Sequence, residues 1–208
     1  MAERLKLREP FADPAHQAAA DRMGMFVFLG TEVMLFGGIL AVALADRIRH
    51  PEAMIAASSR LDLWLGGINT AVLLTSSLAM AIAVAAMHQD RPRVALGALS
   101  ATVALGLAFL GLKALEYGQD YADGLMPALA PPAEPTDPAQ ALFLNLYLAA
   151  TALHAVHLTI GIGLVLWLAS RIARRPEEQA MTTELTGLYW HFVDIVWVFL
   201  YPVLYLVR

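Results

Sequence analysis

Five long apolar runs decide what this chain can fold into. They cover about residues 23–45, 63–87, 94–117, 141–170 and 187–207. A helix needs roughly 17–25 residues, at 1.5 Å rise each, to cross a bilayer, and every run is that long. None alternates apolar and polar residues with a period of two, and Ala and Leu dominate over β-branched residues. That pattern disfavours strands. Backbone in lipid must satisfy its own N–H and C=O groups, which makes such runs helices. The expected fold is therefore all-α, an integral membrane bundle of five transmembrane helices. Composition agrees: 59% of the 208 residues are apolar and only 15% are charged, against about a quarter charged in a soluble domain. A soluble domain of this size could not hide so much apolar surface.

The charge balance and the missing residue types exclude several functions. A net charge of −4 and no basic stripe argue against nucleic acid as a partner. The chain has no cysteine, which excludes disulfides, thiolate catalysis and cysteine-ligated metals. Residues 1–21 mix Glu3, Glu9, Asp13 and Asp21 with Arg4, Lys6 and Arg8. This is not the start of a signal peptide. We therefore divide the chain into an N-terminal arm, 1–21, and a transmembrane domain, 22–208, whose first apolar run is retained as a helix.

Orientation follows from Lys and Arg in the connections. With the arm taken together with Arg22, one side of the membrane carries nine of these residues. They are Arg4, Lys6, Arg8, Arg22, Arg91, Arg93, Arg171, Arg174 and Arg175. The other side carries four, Arg47, Arg49, Arg60 and Arg208. Its longest connection, 118–139, is rich in proline and acidic residues. The expected N-terminus is cytoplasmic and the C-terminus external.

Ionisable side chains in hydrocarbon cost about 2.5–3.5 kcal/mol each on insertion scales, so each needs a reason. Glu32 lies in the first run, His154 and His157 in the fourth, and His191 and Asp194 in the fifth. Counted along helices of the expected orientation, Glu32, His157, His191 and Asp194 share the inner half of the membrane, with His154 nearer the middle. His154/His157 and His191/Asp194 are i, i+3 pairs that share a helical face. Three readings stand open: hydrogen bonds that fix helix packing, a proton-handling network, and metal or haem ligation by two histidines. No Glu-x-x-His or His-Glu-x-x-His spacing supports the third. Lys113 and Glu116 form another i, i+3 pair near the outer end of the third helix. We expect an ion pair there with the lysine snorkelling outward. Tyr189, Trp190, Trp197, Tyr201 and Tyr205 read as interfacial anchors of the last helix. Pro202 is expected to kink or end its last turn. Gly30, Gly37, Gly38, Gly66, Gly67, Gly161 and Gly163 read as points of close helix approach.

Several of these segments resemble the cytochrome c oxidase subunit III family. The run 22–38, Arg-Met-Gly-Met-Phe-Val-Phe-Leu-Gly-Thr-Glu-Val-Met-Leu-Phe-Gly-Gly, is similar to that family's glutamate-bearing helix. Residues 69–77, Asn-Thr-Ala-Val-Leu-Leu-Thr-Ser-Ser, resemble the next helix, and Leu115-Glu116-Tyr117 resembles the end of the third. His154-Ala-Val-His-Leu-Thr-Ile-Gly161 resembles the His-x-x-His helix, and residues 189–201 resemble the C-terminal signature that contains Tyr-Trp-His-Phe-Val-Asp. The likeness runs in order from about Arg22 to Tyr205. Five helices rather than seven match the shorter form of quinol oxidases and some bacterial cytochrome c oxidases.

The resemblance implies a non-catalytic subunit III of a haem-copper terminal oxidase in aerobic respiration. It would support assembly, stability and proton uptake of the catalytic subunit. It also implies a bacterial inner-membrane location, subunit I as the main contact, subunit II and small subunits as further partners, and bound structural phospholipid. Haem and copper would lie in partner subunits, with no cofactor, metal or catalytic residue in this chain. In the long form of the family, lipids lie between the two N-terminal helices and the rest. Those two helices are absent here, so no lipid-binding residue is assigned. Two other functions stay open, an accessory subunit of nitric oxide reductase and a small proton-coupled transporter using Glu32 and Asp194. No internal repeat or broken helix, as transporters usually show, is evident for the latter.

Overall fold

The computed structural model of the chain describes residues 13–129 and 137–206. The charged arm up to Ala12, the proline cluster Pro131–Pro135 with Glu134, and Arg208 lie outside the described residues. The protein is an all-α membrane bundle. Its helices are α1 (Pro14–Arg49), α2 (Pro51–Ser58), α3 (Leu63–His88), α4 (Pro92–Ala122), α5 (Pro138–Arg174) and α6 (Ala180–Tyr205), with a short 3-10 turn at Pro176–Glu178 before α6. Among the described residues, α1, α3, α4, α5 and α6 are long and apolar enough to cross a membrane, and no strand occurs.

Helix starts follow local chemistry. Asp13, Asp62 and Asp137 each accept from a backbone N–H in the first turn of α1, α3 and α5, satisfying donors that the helix leaves free. Proline occupies the first position of α1, α2, α4 and α5, where its missing N–H costs nothing. The α3–α4 turn passes through Asp90 with φ 54, a left-handed conformation that Asp tolerates better than most residues.

Most helices overrun their apolar runs, α6 starting at Ala180 and α4 ending at Ala122, and two further differences stand out. Residues 14–21 of the arm are helical and continuous with the first span. The Asp13–Pro14 cap starts the helix well before hydrophobicity begins, because a helix projecting into water needs no apolar face. α1 is 36 residues long, or about 54 Å, which exceeds a hydrocarbon core of about 30 Å. The second difference is α2, eight residues that fold back after α1. Its Met54 and Ala57 are buried, and Ser58 donates to the Leu204 carbonyl at the end of α6 (2.8 Å).

α6 forms the centre of the bundle and packs against α3, α5 and α1. Half of its most apolar stretch is buried within the chain, against 11% for α1, which lies at the edge. Tyr189, Trp190, Trp197 and Tyr205 are therefore core residues, not interfacial anchors: both indoles are fully enclosed. Their polar tips find acceptors inside the bundle, which removes the need for an aqueous interface. Trp190 Nε1 donates to Ser76 and Trp197 Nε1 to Thr70, both at 3.1 Å, tying α6 to α3 at two levels.

The glycines divide in the same way. A Cβ on Gly66 would lie 2.8 Å from the Tyr201 ring, and one on Gly161 would meet Trp190 at 3.3 Å, so both admit bulky aromatics. Gly30, Gly37, Gly38 and Gly163 have nothing within 4 Å and face away from the bundle. They do not bring helices of this chain together. Pro202 stands inside the last turn of α6, which continues to Tyr205.

Candidate functional site

Glu32 and His157 meet between α1 and α5. Glu32 Oε2 is 2.9 Å from His157 Nε2. The other ring nitrogen, Nδ1, is 2.9 Å from the Leu153 carbonyl, one turn back on α5. A carbonyl only accepts, so Nδ1 carries a proton. Nε2 then faces Glu32 in one of two ways. A neutral ring accepts from a protonated Glu32, or an imidazolium donates to a carboxylate. Both forms hold one proton between the two groups, and both are neutral overall. Such a pair suits a low-dielectric site, where a net charge is costly. Phe36 packs its ring edge against His157, with centroids 5.1 Å apart, and Tyr189 donates to the His157 carbonyl (3.0 Å). The pair opens onto a groove of about 460 Å³ between α1, α5 and α6, lined mainly by Met25, Phe28, Leu164, Trp167 and Tyr189.

The other sequence candidates do not converge on this pair. His191 shares a 2.7 Å hydrogen bond with Ser77 of α3. Asp194 is buried nearby, with the Ser77 hydroxyl that His191 engages beside its carboxylate. His154 is fully enclosed and points away from His157. It packs on Phe109 and Trp197, with centroids 5.5 and 5.1 Å away, and both ring nitrogens lack a partner. Three positions along α5 turn the ring by about 60°, enough to send the two histidines to different neighbours. Aromatic rings fill the space against His154, so the residues around it do not fit a haem. Among the described residues, no three His, Cys, Asp or Glu side chains are placed to hold a metal ion.

Lys113 and Glu116 form a 3.0 Å ion pair in a setting unlike the expected one. Lys113 does not snorkel: it is 2% exposed. It also donates to Tyr147 (3.0 Å) and Tyr205 (2.6 Å) and lies 4.7–5.5 Å from four aromatic rings. The bundle thus supplies the acceptors that water would have supplied. Tyr147 and Tyr205 are 34 and 92 residues away in sequence, and helical spacing gave no sign of them. Asp120, one turn beyond Glu116, was also missed, although its i+4 spacing placed it on the same stripe. At the opposite end of the bundle, Arg22 of α1 binds Glu184 of α6 through two nitrogens (2.8 and 3.0 Å), a clasp of which the sequence analysis named only the arginine.

The fold, the single-proton pair and the order of the helices can be set beside known proteins. The pattern of the family described as cytochrome c oxidase subunit III matches residues 14–207. The chain belongs to that family. Among similar proteins are the probable quinol oxidase subunits 3 of Staphylococcus haemolyticus and Staphylococcus aureus strain USA300, each 26% identical over 194 residues, and that of Staphylococcus epidermidis strain RP62A, 27% identical over 194 residues. In each case the match covers 92% of this chain and 91% of the relative. Family membership makes this bundle a subunit III of a haem-copper oxidase, and the nitric oxide reductase and transporter alternatives are not favoured.

Proposed function

We propose that this chain acts without a catalytic centre of its own, docks beside the haem- and copper-bearing subunit I of a terminal oxidase, and supports its assembly, durability and proton uptake. The observation that carries this reading is the Glu32–His157 pair. One proton held between two bases inside a membrane-spanning bundle is a group that can pass or accept a proton without creating net charge. His191–Ser77 and the buried Asp194 extend the polar surface along α6. Haem and copper belong to the partner subunits in this reading. They would supply the oxygen-reducing chemistry, while the residues described here hold protons and fix helices.

The exposed apolar flank of α1, with Met23, Val27 and Met34 each more than 60% exposed, is left for lipid or for a neighbouring subunit. Subunit II, small subunits and structural phospholipid are further partners in this reading. A bacterial inner membrane is the location in this reading, and the arginine distribution supports a cytoplasmic α3–α4 turn. The names of the staphylococcal relatives make quinol the first electron donor to test.

The experiment is purification of the tagged chain in mild detergent from its native membranes, with mass spectrometry of partners and an optical spectrum. Co-purification of a large haem-bearing subunit with quinol or cytochrome c oxidase activity is the expected result. A chain that purifies alone in good yield, while oxidase activity stays behind in the membrane, overturns the proposal.

A further inference from the structure

A second set of ionisable groups, outside the Glu32–His157 pair, is closed on itself. α4 presents Lys113, Glu116 and Asp120 along one stripe, α5 adds Tyr147 and α6 adds Tyr205. Lys113, Glu116 and Asp120 are all buried. The lysine ammonium has three protons and three acceptors: Glu116 Oε2, the Tyr147 hydroxyl and the Tyr205 hydroxyl. The Tyr205 proton goes to Glu116 Oε1 at 2.5 Å. Tyr147 has one proton but two carboxylate oxygens in reach, Asp120 Oδ2 at 2.7 Å and Glu116 Oε1 at 3.1 Å.

Two complete hydrogen-bond patterns follow. With Asp120 ionised, Tyr147 donates to Asp120, and the group carries one positive and two negative charges. With Asp120 protonated, its O–H donates to the Tyr147 oxygen, and the Tyr147 proton turns to Glu116. The group is then neutral. Every polar hydrogen is used in both patterns. They differ by one proton and one hydroxyl rotation, and no heavy atom has to move. The first pattern leaves an uncompensated negative charge in a site with little water, and the second removes it.

We propose that Asp120, Tyr147 and Glu116 form a proton-binding site that takes one proton from the aqueous phase at the α4–α5 end of the bundle and holds it on Asp120. Asp120 stands two residues from the end of α4, and the flanking Gln119, Tyr121 and Asp123 are exposed. The proton comes from hydronium or a buffer acid and forms a new O–H bond at Asp120 Oδ2. The groups facing Asp120 are Lys113, Glu116 and Asp123 from α4 and Tyr147 from α5, with Tyr205 of α6 behind them. Tyr117 is engaged by Thr151 (2.6 Å) and does not take part. The site stands apart from the oxidase reading, since it uses none of the residues that support it.

The test is infrared difference spectroscopy across a pH change. The sample is the full chain purified with its native membrane partners, as wild type, Asp120→Asn and Tyr147→Phe, in H2O and D2O and in sodium and potassium buffers. Wild type should gain a carboxylic acid carbonyl band on acidification that shifts in D2O and is missing in Asp120→Asn. Tyr147→Phe keeps both carboxylates, so it should retain the band at a higher frequency, because the acid has lost its phenol acceptor. If Asp120→Asn reduces the yield of folded chain, the Tyr147→Phe shift decides. The proposal is overturned by a band that survives Asp120→Asn, by the absence of any acid band, by an unchanged Tyr147→Phe spectrum, or by a band that sodium suppresses and potassium does not.

Discussion

Replacing Glu32 by alanine tests the α1–α5 pair most directly. In Glu32→Ala the imidazole is expected to relax to its neutral form, with Nδ1–H still bound to the Leu153 carbonyl. Nε2 is then left as an unpartnered acceptor. Its surroundings are the Phe36 ring and a mainly apolar groove, whose Thr186 and Tyr189 hydroxyls already donate to the Thr182 and His157 carbonyls. Leaving such a group unsatisfied costs about 1–3 kcal/mol, roughly 5- to 140-fold in the equilibrium between docked and loosened states at 1.4 kcal/mol per tenfold. The loss should concentrate on α1, which the Arg22–Glu184 clasp still holds about 15 Å nearer its N-terminus. Glu32→Gln keeps the shape, and its amide N–H can donate to Nε2, so it should lose less than about 1 kcal/mol. The assays are hydrogen exchange along α1 in the purified complex, the amount of chain retained on it, and oxidase activity over sustained turnover. Glu32→Ala should exchange faster in α1 and lose activity sooner, with the first turnovers intact. In a double-mutant cycle with His157→Ala, the second change should cost less once the first is made. Wild-type exchange, retention and durability in Glu32→Ala would refute the pairing argument. Loss of the first turnover in an intact complex would instead show a direct chemical role.

Lys113→Met strands Glu116 and Asp120 without their cation and should destabilise the chain by about 3–5 kcal/mol; the double variant with Glu116→Gln should recover part of that in thermal unfolding. Gly187→Ala would bring a Cβ to 2.9 Å from Val84 Cγ2, so it should cost about 1–3 kcal/mol through overpacking, whereas Gly163→Ala, with nothing within 4 Å, should stay within about 0.5 kcal/mol or stabilise. Because the chain has no native cysteine, single cysteines at Ser59 and Gln89 report cleanly on topology; Gln89 should label only from the cytoplasmic side and Ser59 only from the other. The chain separated from its partners should show no stoichiometric Soret band or bound transition metal; a band lost on His154→Ala or His191→Ala would contradict this.

The spans were legible because lipid imposes one rule on every residue of a run, and that rule needs no knowledge of neighbours. The eight-residue α2 carries no such signal: it is too short for periodicity to speak. The tilt of each polar side chain was also out of reach, since it depends on which helix stands beside it. His154 and His157 share a motif, yet one faces Phe109 and Trp197 and the other faces Glu32. The tyrosines and tryptophans of α6 were misread for a related reason. At the end of a span, an amphipathic ring suits a lipid headgroup or an internal acceptor equally well, and the acceptors, Ser76, Thr70, Glu116 and His157 O, come from other helices.

The two indole bonds between α6 and α3 bear on how the protein is made. Thr70 and Ser76 also donate to carbonyls of their own helix, Gly66 at 2.9 Å and Leu73 at 2.8 Å. Both hydroxyls are thus satisfied in lipid before α6 has been synthesised. When α6 arrives, it brings two N–H donors that have no partner in their own helix. Only one axial placement meets both acceptors, since a slide of one turn, about 5.4 Å, would strand both donors in hydrocarbon. The later helix carries the need, and the earlier one holds an open offer. Insertion therefore runs in one temporal direction, and a misregistered α6 is marked by its own unsatisfied indoles.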